Sequence, residues 1–113
     1  MAINVNMTKK DLINAKNASI SVPTAIENDW TLTVSGCAVV ENGGTDKQGN
    51  PCAVGYIATD RGVFGFVSNI LIDALNDFSE YLAESLNDGE AVQIKFIAGT
   101  SKSGSVYYSF NIL

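Results

Sequence analysis

The chain has 113 residues, of which 46% are hydrophobic and 17% charged, and this length and composition are typical of one domain with an apolar core. Seven Lys and Arg residues against twelve Asp and Glu residues give a net charge of −5, which argues against a polyanion as the partner. The chain has no His, which excludes Ser-His-Asp and Cys-His catalysis and all His-containing metal sites. We therefore expect a binding protein and not an enzyme.

The N-terminal segment contains a helix signal and a short strand signal. Thr8 and Asp11 have the spacing of a capping box, which predicts a short helical turn within residues 1–17, a candidate N-terminal arm. Residues 19–22 alternate as in a short strand, which Pro23 should end.

The first long strand is predicted over residues 30–40, where apolar side chains alternate with small or polar ones. Gly36 interrupts this pattern and indicates a bulge or a sharp bend. Residues 41–51 are dense in Gly, Asn, Asp and Pro, which predicts a loop. Two further strands, over 52–59 and 63–67, meet at a turn.

The rest of the chain predicts one long helix and two strands. Ser68 occupies the N-cap position, and apolar residues then recur every three or four positions up to residue 87. Strands follow over 92–98 and 106–112. The chain is thus mainly β with one long helix, and the element order over residues 1–113 predicts a single OB-like five-stranded antiparallel barrel. An open antiparallel α+β sheet with one packed helix has the same element order and remains the alternative.

The two cysteines, Cys37 and Cys52, are too few for a disulfide-rich secreted fold or a four-ligand zinc site, although a single bridge between them remains open. The N-terminus lacks the pattern of a signal peptide, and no apolar run approaches the roughly 18 residues of a membrane span. We expect a soluble cytoplasmic protein with free thiols and with no metal, cofactor, membrane partner or small-molecule substrate.

The negative charge is concentrated in one segment. Residues 73–90 contain six acidic residues and no Lys or Arg, so they carry −6 and the rest of the chain carries +1. A solvated helix face is the simplest interpretation. Because 0.1 M salt screens charges beyond roughly 10 Å, the acidic helix does not exclude a neutral or basic groove elsewhere.

An aromatic and cationic surface is predicted on the last two strands. If Ile94 and Phe96 face the core, Lys95 faces outward, and so does Tyr107 on the neighbouring strand. Binders of single-stranded nucleic acid combine rings, on which bases stack at about 1–3 kcal/mol each, with cations that contact phosphates. The candidate nucleic-acid-binding residues are Trp30, Lys47, Arg61, Phe64, Phe66, Lys95, Lys102 and Tyr107. For the rings of Trp30, Phe64 and Phe66, burial in the core remains the alternative.

Several segments resemble a known family. Residues 52–57 and 60–65, the helix start at Ser68, and residues 99–108 are together similar to the small single-stranded DNA-binding proteins encoded by phages and mobile elements. The resemblance implies an OB-type barrel that coats exposed strands in DNA replication or recombination. It also implies assembly into a homodimer or a higher oligomer, in the cytoplasm of the host cell.

Two other functions remain open. The carboxylates of the predicted helix could imitate DNA phosphates and occupy the basic cleft of a host defence enzyme. Alternatively, the chain could be a phage structural or assembly protein whose sheet edge pairs with neighbouring copies. Binding of single-stranded DNA separates the first hypothesis from these two.

Overall fold

A six-stranded antiparallel sheet and three helices make up the structure, a computed structural model that describes residues 3–113. The strands are β1 (Ile3–Val5), β2 (Leu32–Thr45), β3 (Pro51–Thr59), β4 (Gly62–Phe66), β5 (Gln93–Thr100) and β6 (Val106–Ile112). The helices are α1 (Lys9–Asn17), α2 (Val22–Glu27) and α3 (Asn69–Asn87). The strand order is β4-β3-β2-β5-β6, and β1 pairs with β2 beside this path.

Strand β2 connects the two halves of the sheet. It pairs with β3 along most of its length, but with β5 only at Leu32–Ile94 and Thr33–Gln93. We call these two pairs the β2–β5 junction. The two strands are antiparallel and pair only through their first residues, so β5 and β6 continue beyond the junction as a separate hairpin. The hairpin therefore extends away from the β2–β3–β4 half of the sheet.

The predicted barrel is wrong in its closure, because the sheet stays open. Strands β4 and β6 lie at opposite ends of the strand order, and they do not pair within residues 3–113. Ile20 covers part of the β4 edge, since its N–H donates to the Val63 carbonyl at 2.8 Å and its carbonyl accepts from the Gly65 N–H at 3.3 Å. The fold agrees with the alternative, an open antiparallel α+β sheet, and adds the helix α2, which the sequence did not predict.

The main hydrophobic core lies between α3 and one face of the sheet. Ser68 caps the helix as predicted, because its hydroxyl accepts a hydrogen bond from the Leu71 N–H at 3.5 Å. Leu71, Leu75 and Leu82 are at most 1% exposed and pack against the inward side chains of the sheet. The predicted long amphipathic helix is therefore confirmed.

A second, smaller hydrophobic cluster lies between α1 and the opposite face of the sheet. The predicted capping box is present: the Thr8 hydroxyl accepts from the Asp11 N–H at 3.1 Å, and the Asp11 carboxylate accepts from the Thr8 N–H at 2.9 Å. Ala15 is buried in a cluster that includes Ala38 and Tyr56 of the sheet. Residues 3–17 thus form part of the packed fold instead of a separate arm.

Two predicted boundaries shift, and one predicted irregularity is confirmed. Pro23 does not end a strand but lies in the first turn of α2, where its missing N–H costs no helical hydrogen bond. Residues 41–45, predicted as loop, continue β2 with an irregular register. The bulge follows Val34, and a Cβ at Gly36 would lie 2.8 Å from the Val5 carbonyl oxygen, so the missing side chain lets β1 approach β2.

Candidate nucleic-acid interface

Alternate side chains of the β5–β6 hairpin point away from the core, as the sequence predicted. We call the side chains on this side the outer hairpin face: Lys95, Ile97, Tyr107, Ser109 and Asn111. On the opposite side, Phe96 is 3% exposed and Phe110 is half-buried. The ring of Phe110 lies 5.1 Å from that of Phe78 of α3, so the inner side is attached to the main core.

The far half of the hairpin extends beyond that attachment into solvent. Residues 97, 98 and 100 of β5 are exposed, and so are residues 102–107 in the turn and at the start of β6. Among the described residues, the main core includes the inner side chains of Ile94, Phe96, Tyr108 and Phe110, which lie in the half of the hairpin nearer the junction with β2. A ligand can therefore reach the far half of the outer hairpin face, which is exposed in the described part of the chain.

Tyr107 lies across the backbone of Gly99, its cross-strand partner. A Cβ built at Gly99 would lie 2.4 Å from Cζ of Tyr107 and 2.5 Å from its hydroxyl oxygen, so the ring occupies the space that a side chain would fill. The residue is 37% exposed. The ring is thus held on the strand while much of it stays open to solvent, as a stacking platform requires.

The hairpin is positively charged. Residues 91–113 contain Lys95 and Lys102 and no acidic side chain. The Nζ atom of Lys95 lies 2.6 Å from an Oδ1 of Asp29, a largely exposed carboxylate, so this ion pair contributes about 0–1 kcal/mol to stability. Lys102 lies in the exposed turn. A phosphate can compete with Asp29 for Lys95, because an exposed ion pair is weak.

Trp30 and Arg61 interact with each other beside the β2–β5 junction. The guanidinium carbon of Arg61 lies 4.6 Å from the centroid of the Trp30 ring, in cation–π contact. The turn that carries Arg61 is attached to β2, because the Asp60 N–H donates to the Thr33 carbonyl at 3.0 Å. Trp30 is half-buried against the core, so its ring is covered on one side by Arg61 and packed on another. This pair is a cationic border of the hairpin and not an open stacking platform.

Phe64 and Phe66 belong to the core, which corrects their assignment as base-stacking residues. Phe64 is 0% exposed and Phe66 is 9% exposed. The Phe64 ring lies 5.2 Å from that of Phe96, inside the cluster under α3. Their alternate spacing does place both rings on one face of β4, but this is the covered face.

Lys47 lies far from the other candidate cations. It is in the turn that joins β2 to β3, and β2 and β5 run in opposite directions from their shared junction. Lys47 and Lys102 therefore lie toward opposite ends of a molecule whose longest extent is 41 Å. The structure places Lys95, Lys102 and Tyr107 on one hairpin, with Trp30 and Arg61 at its border, and separates Lys47 from them.

Sequence reasoning missed two residues of this surface. The Tyr107 ring lies against the backbone of Gly99. The pairing of these two residues could have been predicted by pairing residues outward from the turn at 101–105. Asp29 precedes β2 in a left-handed conformation, with φ 54°. Its approach to Lys95 depends on the placement of α2, for which no local sequence signal was found.

The acidic residues of α3 and of the turn that follows it face solvent, as predicted for the helix. The six carboxylates are exposed: Asp73, Asp77, Glu80, Glu84, Asp88 and Glu90. The spacing of the first four, which lie within α3, puts them along one stripe of the helix. Within residues 3–113 no three Cys, Asp or Glu side chains are grouped closely enough to hold a metal ion.

Both cysteines are free thiols, and no helix in the described part of the chain has the length and apolarity to cross a bilayer. No protein-family model matches the chain, and neither curated proteins nor solved structures give a significant match.

Proposed function

We propose that the protein binds single-stranded DNA on the outer hairpin face. The observation that carries the proposal is the fixed, solvent-facing ring of Tyr107 between Lys95 and Lys102, on a hairpin without acidic side chains. A base can stack on the ring while the two ammonium groups contact phosphates on either side. The proposed role is to coat exposed strands during replication or recombination.

The spacing along the hairpin suits a short stretch of single strand. Lys95 and Lys102 are seven residues apart, with the Gly99–Tyr107 pair between them, and a strand rises roughly 3.3 Å per residue. The groups are therefore spread over about 20 Å. The strand succession, with α3 between β4 and β5, is also compatible with an OB-type sheet left open between β4 and β6.

Binding through few cations predicts a modest, salt-sensitive affinity. Each neutralised phosphate of a single strand contributes a slope of about −0.7 to the dependence of log K on log salt. Contacts from Lys95 and Lys102 alone give about −1.4, and Arg61 at the border can add one further contact. The carboxylates of α3 weaken binding mainly at low ionic strength, where screening is weak.

Fluorescence anisotropy of a labelled oligothymidine tests the proposal. Tyr107→Ala should weaken binding about 5- to 150-fold, because stacking on one ring contributes about 1–3 kcal/mol. Tyr107→Phe keeps the ring and should bind like the wild type, whereas Tyr107→Leu keeps apolar bulk and should bind like the Ala variant. No binding by the wild type at low salt, or equal binding by all three variants, overturns the proposal.

The lysines provide a second, matched comparison. Lys102→Ala should weaken binding and bring the salt slope closer to zero by about 0.7, because one phosphate contact is lost. Lys47→Ala removes the same charge at the other end of the molecule and should leave the slope unchanged. Equal effects of the two variants would mean that only the net charge matters and that the outer hairpin face is not the site.

A further inference from the structure

The second strand of the hairpin, β6, is an open edge of the sheet. It pairs with β5 on one side, and no other strand of residues 3–113 pairs with its opposite side. Its seven residues are Val106, Tyr107, Tyr108, Ser109, Phe110, Asn111 and Ile112, and none is charged or a proline. Natural sheets use charge, proline and bulges to block association at such edges, and β6 has a regular pairing register. The edge is therefore competent to pair with another strand.

Apolar groups are exposed along this same edge. Val106 is 62% exposed, Ile112 is 44% exposed and Leu113 is 63% exposed. Beside them, a groove of about 370 Å³ separates α3 from the end of β6. Its lining includes Phe78, Tyr81 and Ile112, and Asp77 adds a carboxylate. An occupant of the edge would thus have a backbone to pair with and an apolar groove to fill.

We propose that the occupant is a second copy of this chain, paired antiparallel through β6 about Ser109. In this register, Val106 of each copy lies opposite Ile112 of the other, and Tyr108 lies opposite Phe110. Residues opposite each other in an antiparallel pair point to the same side. Val106 and Tyr108 of the second copy therefore extend the inner layer over the groove beside α3, and the same contact is made twice.

Charge also favours a second copy. Beyond Val106, the second copy continues into the turn that carries Lys102, on a hairpin with two cations and no acidic side chain. The border that it approaches is α3 with Asp77 and the other carboxylates of residues 73–90. The two contacting surfaces of each copy thus carry opposite charge, which favours this pairing.

The assembly closes as a dimer. Pairing about a two-fold axis uses the same edge in both copies, so no further β6 edge remains. At the other end of the sheet, Ile20 covers part of the β4 edge and obstructs growth in that direction. The two outer hairpin faces then lie side by side in one continuous sheet. The dimer does not depend on nucleic-acid binding and is measured without it.

Sedimentation velocity over a wide range of protein concentration tests the dimer. The wild type should shift from one chain mass of 12.0 kDa toward twice that mass as the concentration rises. Val106→Asp should shift the equilibrium toward the monomer at least tenfold, because it puts a carboxylate opposite Ile112 and near the acidic helix. Val67→Asp makes the same change at another exposed valine, outside the edge, and should leave the equilibrium unchanged.

A charge exchange makes the test specific to the proposed register. Ile112→Lys alone should also weaken the dimer, whereas Val106→Asp combined with Ile112→Lys should restore it, because each Asp then lies opposite a Lys. Both replaced residues are exposed, so circular dichroism should report an unchanged fold. A wild type that stays monomeric at the highest concentration, or a dimer that Val106→Asp does not weaken, overturns the proposal.

Discussion

Two glycines show how the absence of one side chain positions an aromatic ring. A Cβ at Gly55 would lie 2.3 Å from Cε1 of Phe66, and a Cβ at Gly99 would lie 2.4 Å from Cζ of Tyr107. The surroundings of the two rings differ, because Phe66 is buried in the core and Tyr107 is partly exposed. At Gly55 the absence of a Cβ lets a core ring pack closely, and at Gly99 it lets a surface ring lie against the strand.

Replacing each glycine by alanine should therefore have different results. Gly55→Ala should lower the free energy of unfolding by about 1–3 kcal/mol, because the Phe66 ring has no space into which to move. Gly99→Ala should change it much less, since the Tyr107 ring can turn into solvent, but it should weaken oligonucleotide binding. Urea denaturation of both variants measures the difference, and an equal loss of stability contradicts the assigned environments.

The two thiols should differ in reactivity because one is buried and the other is partly exposed. Cys37 is 0% exposed, and burial raises the pKa of its thiol from 9.0 to about 12, whereas Cys52 is partly exposed. Because the thiolate is the reactive form, Cys52 should react with a thiol reagent in the native protein and Cys37 only after unfolding. Two thiols that react equally fast in the native protein would contradict the burial of Cys37.

The raised pKa also sets the direction of a pH dependence. Between 9.0 and about 12, the Cys37 thiol loses its proton in the unfolded chain but keeps it in the folded one. The unfolded state then binds fewer protons, so stability should fall as pH rises through this window. Burial raises the pKa of Tyr56 as well, which acts in the same direction. Cys37→Ala should reduce the slope, as measured by urea denaturation at several pH values.

At the scale of whole residues, the sequence could predict which side chains share a face but not which face is covered. The alternation of side chains correctly predicted that Lys95 and Tyr107 lie on the same face of the hairpin, because alternation depends only on neighbouring residues of a strand. It also placed Phe64 and Phe66 together, but only the packing of α3 reveals that their side is the core. The ion pair from Asp29 depends equally on tertiary placement.

At the scale of elements, the signals that succeeded were those contained within a few residues. The capping box of α1 and the N-cap and apolar stripe of α3 specify helices by local hydrogen bonds and spacing. The prediction of a closed barrel was wrong because closure requires β4 and β6 to pair, and Ile20, between α1 and α2, contacts the β4 edge instead. A competing segment of this kind leaves no signal in the strands themselves.

The cap of α1 gives a prediction at this scale. Thr8→Ala should destabilise the protein by about 1 kcal/mol, the usual effect of removing an N-cap hydroxyl. Hydrogen bonds from Thr8, the backbone one first, lower the pKa of Asp11 below its ordinary value of 3.8. The carboxylate therefore adds stability above that value, which is lost as pH falls through the lowered pKa. Urea denaturation at neutral and acidic pH checks both effects, and a stability of Thr8→Ala equal to the wild type contradicts the cap.

At the scale of the whole molecule, β2 and β3 join two hydrophobic clusters on opposite faces of the sheet. The radius of gyration is 13.6 Å, close to the about 13 Å expected of a compact chain of this length. The charge is unevenly distributed over the molecule: residues 73–90 carry −6, and the hairpin that follows them is positively charged. The net charge of −5 therefore describes neither surface.

Because the two clusters share strands, unfolding should occur in one transition. Trp30, the single tryptophan, reports on the main core, while circular dichroism also includes α1 on the other face. The two signals should give the same midpoint in urea. A separate early loss of helical signal would mean that α1 and its cluster unfold independently of the sheet.

Mapping the bound oligonucleotide by nuclear magnetic resonance tests the central claim most directly. In the amide spectrum of the isotope-labelled protein, oligothymidine at low salt should shift signals of β5 and β6, above all around Lys95, Gly99 and Tyr107. Signals of α3 and of the turn at Lys47 should stay in place. An unchanged spectrum, or shifts that cluster away from the hairpin, would contradict the account.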